Sequence, residues 1–592
     1  MACKKKTIIF WGIGIWAAGL MLITIVRIFY DIEITDEAYY IAEANLVLEG
    51  NLPYVYDSQI ASGFTFLMLP FVKIYKFLVP SLEGIFLYMR ICFYVFYVSI
   101  LVISYFLLCK VFDKNHLIVA LSMFIPFWGA SIPNFSYNTI SVWLVFLIGV
   151  INVSAMYLCD YRGIKVGAVL SGILMAIAEF AHPMEVLNVF YVGILIFCFG
   201  KKGKRWKPFL YYIGSGLLAF LIIMSAIVVQ CGFQHLLFGL DTIFNYKIIR
   251  EIVPISTAFK SLLVSFKYEF VIIFISVIGT VFGGCVRNKG EKNIHLINRY
   301  AEKGLLLGII FSLLYIFIRK TELEILLSIG IVSGIAIVFW LFFIVFLKER
   351  ENNLIFFFLM MPSLFLFVLN GFFTACNIYD RVYEFVPALF GMMLILGKDY
   401  FHKKGAEGNF VIAGIMLVAI LLIRFDYSYI YRGNPINELK CRIETGIYRG
   451  VYTTEEKARD IIKLESYIRE NTEKEEKVLF MEVVPMAYLM SKGKGCAPSS
   501  WDIMQYSYGY NNPSAIYRYF ENRNQIPDKI IYIDTGRDEQ LSIETDYYKF
   551  NDFVNENYVL SQEDSVGQQF RVKVYKLSGD SGKVLESISS LY

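Results

Sequence analysis

Along the first 425 or so residues, apolar positions fall in blocks of roughly 17–25 residues separated by short charged stretches. A block of about 20 residues makes some 30 Å of helix, the thickness of one hydrocarbon core, and inside that core each backbone N–H and C=O must be satisfied within the segment. The blocks predict thirteen spanning helices, at roughly 7–30, 84–109, 116–132, 137–158, 164–181, 184–200, 208–231, 268–286, 303–319, 323–347, 353–374, 382–397 and 409–424. The segment 62–79 is also apolar but contains Pro70, Lys73 and Lys76 and is followed by Pro80. It predicts a helix lying at the interface, with the lysine stems on apolar surface and their ammoniums in water. The first block is longer than a signal-peptide core and has no small-residue cleavage site, so it predicts an uncleaved first helix.

After residue 426 the period changes. Thr453, Thr454, Glu455 and Glu456 open a predicted helix to about Asn471, with a threonine N-cap and acids in the first turn. Residues 477–482 and 529–534 are short apolar runs that predict buried strands, and Phe570–Leu577 alternates like a half-exposed one. The fold class expected is therefore a polytopic α-helical membrane core over 1–426, with a first outer loop at 31–83, followed by a soluble α/β domain over 427–592. A domain of that length can bury its own core.

Charge orients this layout. With the N-terminus inside, the inner loops hold Lys4 to Lys6, Lys110 and Lys114, Arg162 and Lys165, the 201–207 cluster, then Arg287 to Lys303, Lys348 and Arg350, and Lys398 to Lys404. The outer segments hold far fewer cations, as the positive-inside rule requires. Counting 62–79 as a span would reverse every later loop. Thirteen spans place the C-terminal domain on the extracytoplasmic side of a cell membrane. The composition agrees: 57% of residues are hydrophobic and the mean hydropathy is +0.56, against about 45–50% apolar in soluble chains. No compact basic patch with interleaved aromatics is present, which argues against a nucleic-acid partner. The ten cysteines form no CxxC pair or Cys/His metal spacing. Cys441 and Cys496 are the two that could pair outside the cytoplasm.

The stretch just after the first span is the most informative. Thr35 can cap a helix beginning at Asp36 and Glu37, with Ala38, Ile41, Ala42 and Asn45 on one face; Gly50 can end it and Pro53 stops it resuming. Acids in a first turn complement the helix dipole, which is the plain account of them. The functional account is a general base: a carboxylate beside the bilayer surface that takes a proton from an acceptor hydroxyl while a lipid phosphate leaves.

The Asp-Glu-x-x-Tyr run at 36–40 after the first helix resembles the GT-C superfamily of membrane glycosyltransferases, in particular relatives of protein O-mannosyltransferases and lipid A aminoarabinose transferases. Interfacial helices follow, then a helix carrying Arg90. The Ser136, Tyr137, Asn138 segment looks like the start of the fourth helix in some bacterial members, and 172–183 resembles a small-residue helix ending in a basic residue and proline. The resemblance implies a sugar donor on a polyprenyl phosphate, Asp36 as catalytic base, Glu37 orienting the acceptor or shaping the site, and Tyr40, Arg90, Tyr137 and Asn138 in support. Here His182 stands where those relatives carry Lys or Arg, so its donor-phosphate role departs from the pattern.

Other residues have two readings each. His182 is either an interfacial hydrogen-bonding group or a phosphate ligand. Lys247 and Arg250, in the second outer segment, either touch lipid headgroups or hold the leaving phosphate. Asp380 and Arg381 form a local ion pair or join the site, Arg381 as a phosphate ligand. Glu179 is a costly carboxylate in an apolar helix and needs a cavity or a partner, for which Arg90 is available. The aromatics at 501–510 are a domain core or a sugar platform. Asn134 to Ser136 matches a glycosylation sequon. With no Gly-rich phosphate loop and no metal cluster, the sequence points away from a nucleotide-sugar donor and predicts no obligatory cofactor; a divalent metal stays open. The acceptor expected is an extracytoplasmic glycan, lipid or protein, with inversion at the sugar carbon because no second nucleophilic carboxylate is evident. The rival readings are a lipid or glycan transporter or flippase, which needs midplane polar residues on several helices, and a non-catalytic cell-envelope scaffold. The Ile, Lys, Phe and Tyr content fits a low-GC bacterium.

Overall fold

The computed structural model describes residues 2–51, 63–237 apart from 123, 126–131, 159, 201–202 and 235, 350–366 apart from 364, a few positions at 384–395, 434, and 436–589 apart from 502–513, 536–547 and 580. The expected spans at 268–286, 303–319, 323–347 and 409–424 lie outside the described residues, as do Lys247, Arg250, Asp380 and Arg381.

The chain enters through α1 (Ala2–Arg27) and turns into α2 (Asp36–Leu48), which Gly50 closes at φ 92. Next come α3 (Phe64–Leu78), α4 (Ile85–Leu108), α5 (Lys114–Ser122), α6 (Tyr137–Leu158), α7 (Tyr161–Ala181), α8 (Val186–Phe199) and α9 (Trp206–Cys231). Four helices among the described residues are long and apolar enough to cross a membrane: α4, α6, α7 and α9 up to Gln230. The helix expected over 116–132 is described only as the nine residues of α5, and α8 is three residues shorter than its expected block. Helix α3 covers most of the apolar 62–79 segment. It buries Phe64, Thr65, Met68 and Val72 at helical spacing and leaves Ile74, Phe77 and Leu78 exposed. The Lys76 side chain is a third exposed, and its ammonium binds Asn45 Oδ1 at 2.8 Å and Glu49 Oε1 at 3.2 Å.

A short helix α10 (Arg350–Ile355) runs into a π turn at Phe356–Met360 that lies against α6, where a Cβ on Gly149 would come 2.4 Å from the Phe358 carbonyl oxygen. A π turn leaves carbonyls outside the i→i−4 ladder, and the Tyr191 hydroxyl donates to that of Phe357 at 3.1 Å.

The C-terminal part starts with a two-stranded antiparallel ribbon, β1 (Cys441–Arg442) and β2 (Tyr452–Thr453). Between them Gly446 sits at φ 82, with the Glu465 carboxylate where a Cβ would point, so only glycine fits. Then come α11 (Glu455–Asn471), β3 (Lys477–Met481), α12 (Met486–Met490), β4 (Lys494–Gly495), α13 (Ser514–Arg523), β5 (Lys529–Asp534), α14 (Tyr548–Asn557), β6 (Tyr558–Val566), β7 (Phe570–Leu577) and α15 (Ser581–Ser589). The five-stranded sheet has the order β4-β3-β5-β7-β6; β3 is parallel to β4 and β5, and β7 antiparallel to β5 and β6. The parallel strands β3 and β5 are buried along nearly their whole length, as strands covered on both faces are, whereas β6 is an exposed, polar edge with a bulge between Leu560 and Gln562. The predicted α11 and strands 477, 529 and 570 are present; β6 was not foreseen. The α11 cap is Thr454, whose hydroxyl oxygen accepts the Lys457 N–H at 3.3 Å. Thr454→Ala should cost about 1 kcal/mol, measurable as faster amide exchange confined to the first turn of α11. Cys441 and Cys496 are both free thiols, so the pair that the sequence allowed does not form.

The C-terminal part is not a detached appendage. Asp31 N donates to the Tyr452 carbonyl and Tyr452 N to that of Phe29, both at 2.7 Å, which makes a parallel bridge between the end of α1 and β2. The Asn51 amide donates to the Gly495 carbonyl at 2.7 Å, Gly495 N to Glu49 Oε2 at 2.9 Å, and Gly84 N to the Gly446 carbonyl at 2.9 Å. Phe86 stacks on Tyr448 with ring centroids 4.0 Å apart. The C-terminal part therefore packs directly against residues 28–51 and the start of α4.

Candidate active site

The two acids that open α2 have different surroundings. Glu37 is fully buried at 0% exposure and meets Arg90, 1% exposed, in a two-pronged ion pair with Nε–Oε1 at 2.7 Å and Nη2–Oε2 at 2.6 Å. The Asn134 amide adds a donor to Glu37 Oε1 at 3.3 Å. Arg90 spends its remaining N–H groups on carbonyls of the linker between α1 and α2: Nη1 on Ile28 at 2.9 Å and Tyr30 at 3.2 Å, and Nη2 on Asp31 at 2.9 Å. All five guanidinium donors are thus placed. Asp36, by contrast, is partly exposed at the first position of the helix.

Three sequence expectations change here. Arg90 pairs with Glu37 and not with Glu179. Both acids were available on paper, but Arg90 lies in the second turn of α4, beside the α1 exit. The α2 cap is not the Thr35 hydroxyl, which accepts no cap hydrogen bond. The Glu33 carboxylate caps instead, accepting the Thr35 N–H at 3.0 Å, the Glu37 N–H at 2.8 Å and the Thr35 hydroxyl at 2.5 Å. Burial raises the Glu33 carboxyl above the usual carboxylate range and the neighbouring Asp36 charge adds to this, against the three donors. Asn134 is buried against Glu37, so the sequon it heads is closed in the folded chain.

Ser136 and Thr139 exchange hydrogen bonds at the start of α6, Ser136 N to Thr139 Oγ1 at 2.9 Å and Thr139 N to Ser136 Oγ at 3.0 Å, a reciprocal cap that fixes the segment carrying Asn134, Tyr137 and Asn138. His182, buried just beyond α7, has its ring 5.3 Å from Tyr137, and Tyr137 lies 5.9 Å from Tyr40. Phe64 and Tyr39 continue the aromatic contacts to Trp501 of the C-terminal part, Tyr39 to Trp501 at 5.3 Å. Tyr40, one helical turn past Asp36, thereby joins α2 to α6, α7 and the C-terminal part. Of the 501–510 aromatics only Trp501 is described, and it packs edge-on as a domain contact. Glu179 is half-buried on α7.

Sequence reasoning missed the acids that hold the two parts together. Glu43 Oε1 accepts the Ser499 hydroxyl at 3.2 Å and the Ser500 N–H, and Asp31 Oδ1 lies 3.3 Å from Lys457 Nζ. Asp31 is at φ 61, a left-handed conformation costing a non-glycine residue about 1 kcal/mol. Among the described residues no three His, Cys, Asp or Glu side chains gather as a metal site.

No family model and no curated protein matches the sequence. Solved structures that align with it include oligosaccharyltransferase AglB from Archaeoglobus fulgidus in complex with an inhibitory peptide and a dolichol-phosphate (11% identity over 87% of this chain and 69% of that chain, TM-score 0.37). The A. fulgidus enzyme in complex with Zn and sulfate aligns at 13% identity over 88% of this chain and 68% of that one, TM-score 0.44. ArnT from Cupriavidus metallidurans bound to undecaprenyl phosphate aligns at 9% over 95% of this chain and 97% of that chain, TM-score 0.42. Such values carry no argument for fold or function.

Proposed function

We propose that the chain is an integral-membrane glycosyltransferase that moves a sugar from a polyprenyl-phosphate carrier to an extracytoplasmic glycan, lipid or protein acceptor, with Asp36 as general base. The observation that carries the reading is the division of labour between the adjacent acids. Glu37 is consumed by Arg90 and Asn134, while Asp36 stands partly exposed at a helix start held rigidly at the membrane exit. Glu37 then shapes the site and does not orient the acceptor.

In the reaction the acceptor oxygen attacks the sugar C1, its proton passes to Asp36, and the C1–O bond to the carrier breaks so that the polyprenyl phosphate leaves with the electron pair. One displacement inverts C1. Tyr40, Tyr137 and Asn138 line the approach. His182, Lys247, Arg250 and Arg381 are assigned to the donor phosphate, with Asp380 supporting Arg381, and Glu179 bordering the α7 side. Helix α3, apolar on its outer face, lies at the interface where such a carrier presents its phosphate. Contact between the C-terminal part and residues 28–51 supports an even number of crossings between α1 and residue 441. That parity agrees with thirteen spans in all, an inside N-terminus and an outside 427–592 domain.

The test is transfer of radiolabel from a panel of polyprenyl-phosphate sugars in proteoliposomes. Wild type should move label to an acceptor or to water, and Asp36→Asn should be about 10²–10⁴-fold slower. Full transfer by Asp36→Asn would remove the base assignment. Folded wild type that turns over no donor in a broad panel would overturn the transferase reading.

A further inference from the structure

The linker 28–35 decides where Asp36 lies, and the C-terminal part grips it as closely as the membrane helices do. Arg90 holds its carbonyls from one side. From the other, Tyr452 bridges Phe29 and Asp31 through its backbone, and the Tyr448 hydroxyl donates to the Glu33 carbonyl at 3.4 Å. Lys457 is the centre of this second grip. Its ammonium donates to the Ile32 carbonyl and to Asp31 Oδ1, which also accepts the Thr453 hydroxyl at 3.2 Å, while Asn434 N reaches Asp31 Oδ2 at 3.2 Å. The pair is buried, with side chains 9% and 2% exposed for Lys457 and Asp31, and it joins residues 426 positions apart.

A surface ion pair so placed would do little. A buried one aligns its partners, because either charge left alone is penalised heavily. The lysine also differs from the other buried charges of its own helix. Lys457 shares the buried side of α11 with Ala458, Ile461, Leu464 and Ile468; the other buried charges there, Asp460 and Glu465, meet backbone N–H groups of Gln568 and Ile447 within the domain, whereas the Lys457 ammonium reaches out to the linker. Its ammonium meets the linker at Asp31 and Ile32. The Glu33 cap that starts α2 follows two residues after Asp31, so a change in the Asp31 backbone is passed directly to Asp36.

We infer that Lys457 is a positioning residue for the α2 acidic start: the C-terminal domain sets the reach of Asp36 through the Lys457–Asp31 lock, without touching either substrate. The inference rests on Asp36 being the base. With Lys457→Met, kcat should fall about 10- to 100-fold, the loss that a displacement of about 1 Å in a catalytic group brings, while KM for the polyprenyl-phosphate donor stays within about threefold. Lys457→Arg should recover most of the rate. Amide exchange should quicken in residues 28–48 and stay unchanged in the β3 and β5 strands. The double variant Lys457→Met/Asp31→Asn removes both charges, leaves no lone buried ion to unfold the chain, and should show the same kcat and exchange changes. Unchanged exchange at 28–48 in both variants would overturn the lock. Quickened exchange with unchanged kcat would overturn the positioning role. The exchange readout needs no turnover, so wild type without activity would count against the transferase reading and leave the lock decided by exchange.

Discussion

Replacing Arg90 by methionine should destabilise the folded chain by about 3–5 kcal/mol, the cost of leaving one member of a buried pair uncompensated. The side chain is 1% exposed and all its donors are engaged, two on Glu37 and the rest on the carbonyls of Ile28, Tyr30 and Asp31. Methionine fills much of the volume but returns none of these bonds. Of its present side-chain donors, the buried Glu37 carboxylate would keep the Asn134 amide at 3.3 Å. Arg90→Lys should recover less than half of the loss, because an ammonium cannot span a carboxylate and three carbonyls as a planar fork does. Arg90→Met/Glu37→Leu should be much milder than Arg90→Met alone, since both charges go together. Denaturant titration in mild detergent, following helix content, reads all three. An Arg90→Met variant within 1 kcal/mol of wild type (an order-of-magnitude threshold) would show that the pair does not hold the linker.

This site was partly legible in the sequence. Asp36 and Glu37 stood out because they follow an apolar block at once, and the end of α2 at Gly50 was announced by a glycine that tolerates φ 92. The strands at 477 and 529 could be read because burial on both faces demands an unbroken apolar run. Strand β6 could not, since Ser561 to Ser565 is polar throughout and belongs to the sheet only by pairing with β7 at its edge. The cap was misassigned for a local reason. Thr35 has the usual capping side chain, but Glu33 is long enough to reach the same N–H groups and carries a charge that suits them better. The choice of Glu37 over Glu179 for Arg90 and the Lys457–Asp31 lock are tertiary facts with no local trace, except one: a lysine on the buried side of α11 is a signal that something outside the helix must meet it.

The small residues of α7 were noticed in the sequence as a resemblance, and the structure gives them a physical task that can be tested by sign. An ideal Cβ on Gly172 would lie 2.3 Å from the Tyr212 carbonyl oxygen and from Ser215 Oγ, and 2.9 Å from Gly216 N, so α7 and α9 cross backbone to backbone. Ser215 Oγ donates across this crossing to the Val169 carbonyl at 3.0 Å. Among helices in lipid, close packing and such hydrogen bonds replace the hydrophobic drive that water supplies elsewhere. In an unconstrained helix Gly→Ala stabilises by about 1 kcal/mol. At 172 the expected sign is reversed: Gly172→Ala should destabilise by about 1 kcal/mol and Gly172→Leu by about 3 kcal/mol, as overpacking prises the helices apart. The far end of α7 would move with it. There the Phe180 carbonyl oxygen sits 2.2 Å from where a Cβ on Gly63 would be, and His182 meets Tyr137, so activity should fall along with stability in Gly172→Leu. Denaturant midpoints for the two variants against wild type decide the matter. A Gly172→Ala chain that is more stable than wild type would mean that the helices do not meet there, because helix propensity alone would then be setting the sign.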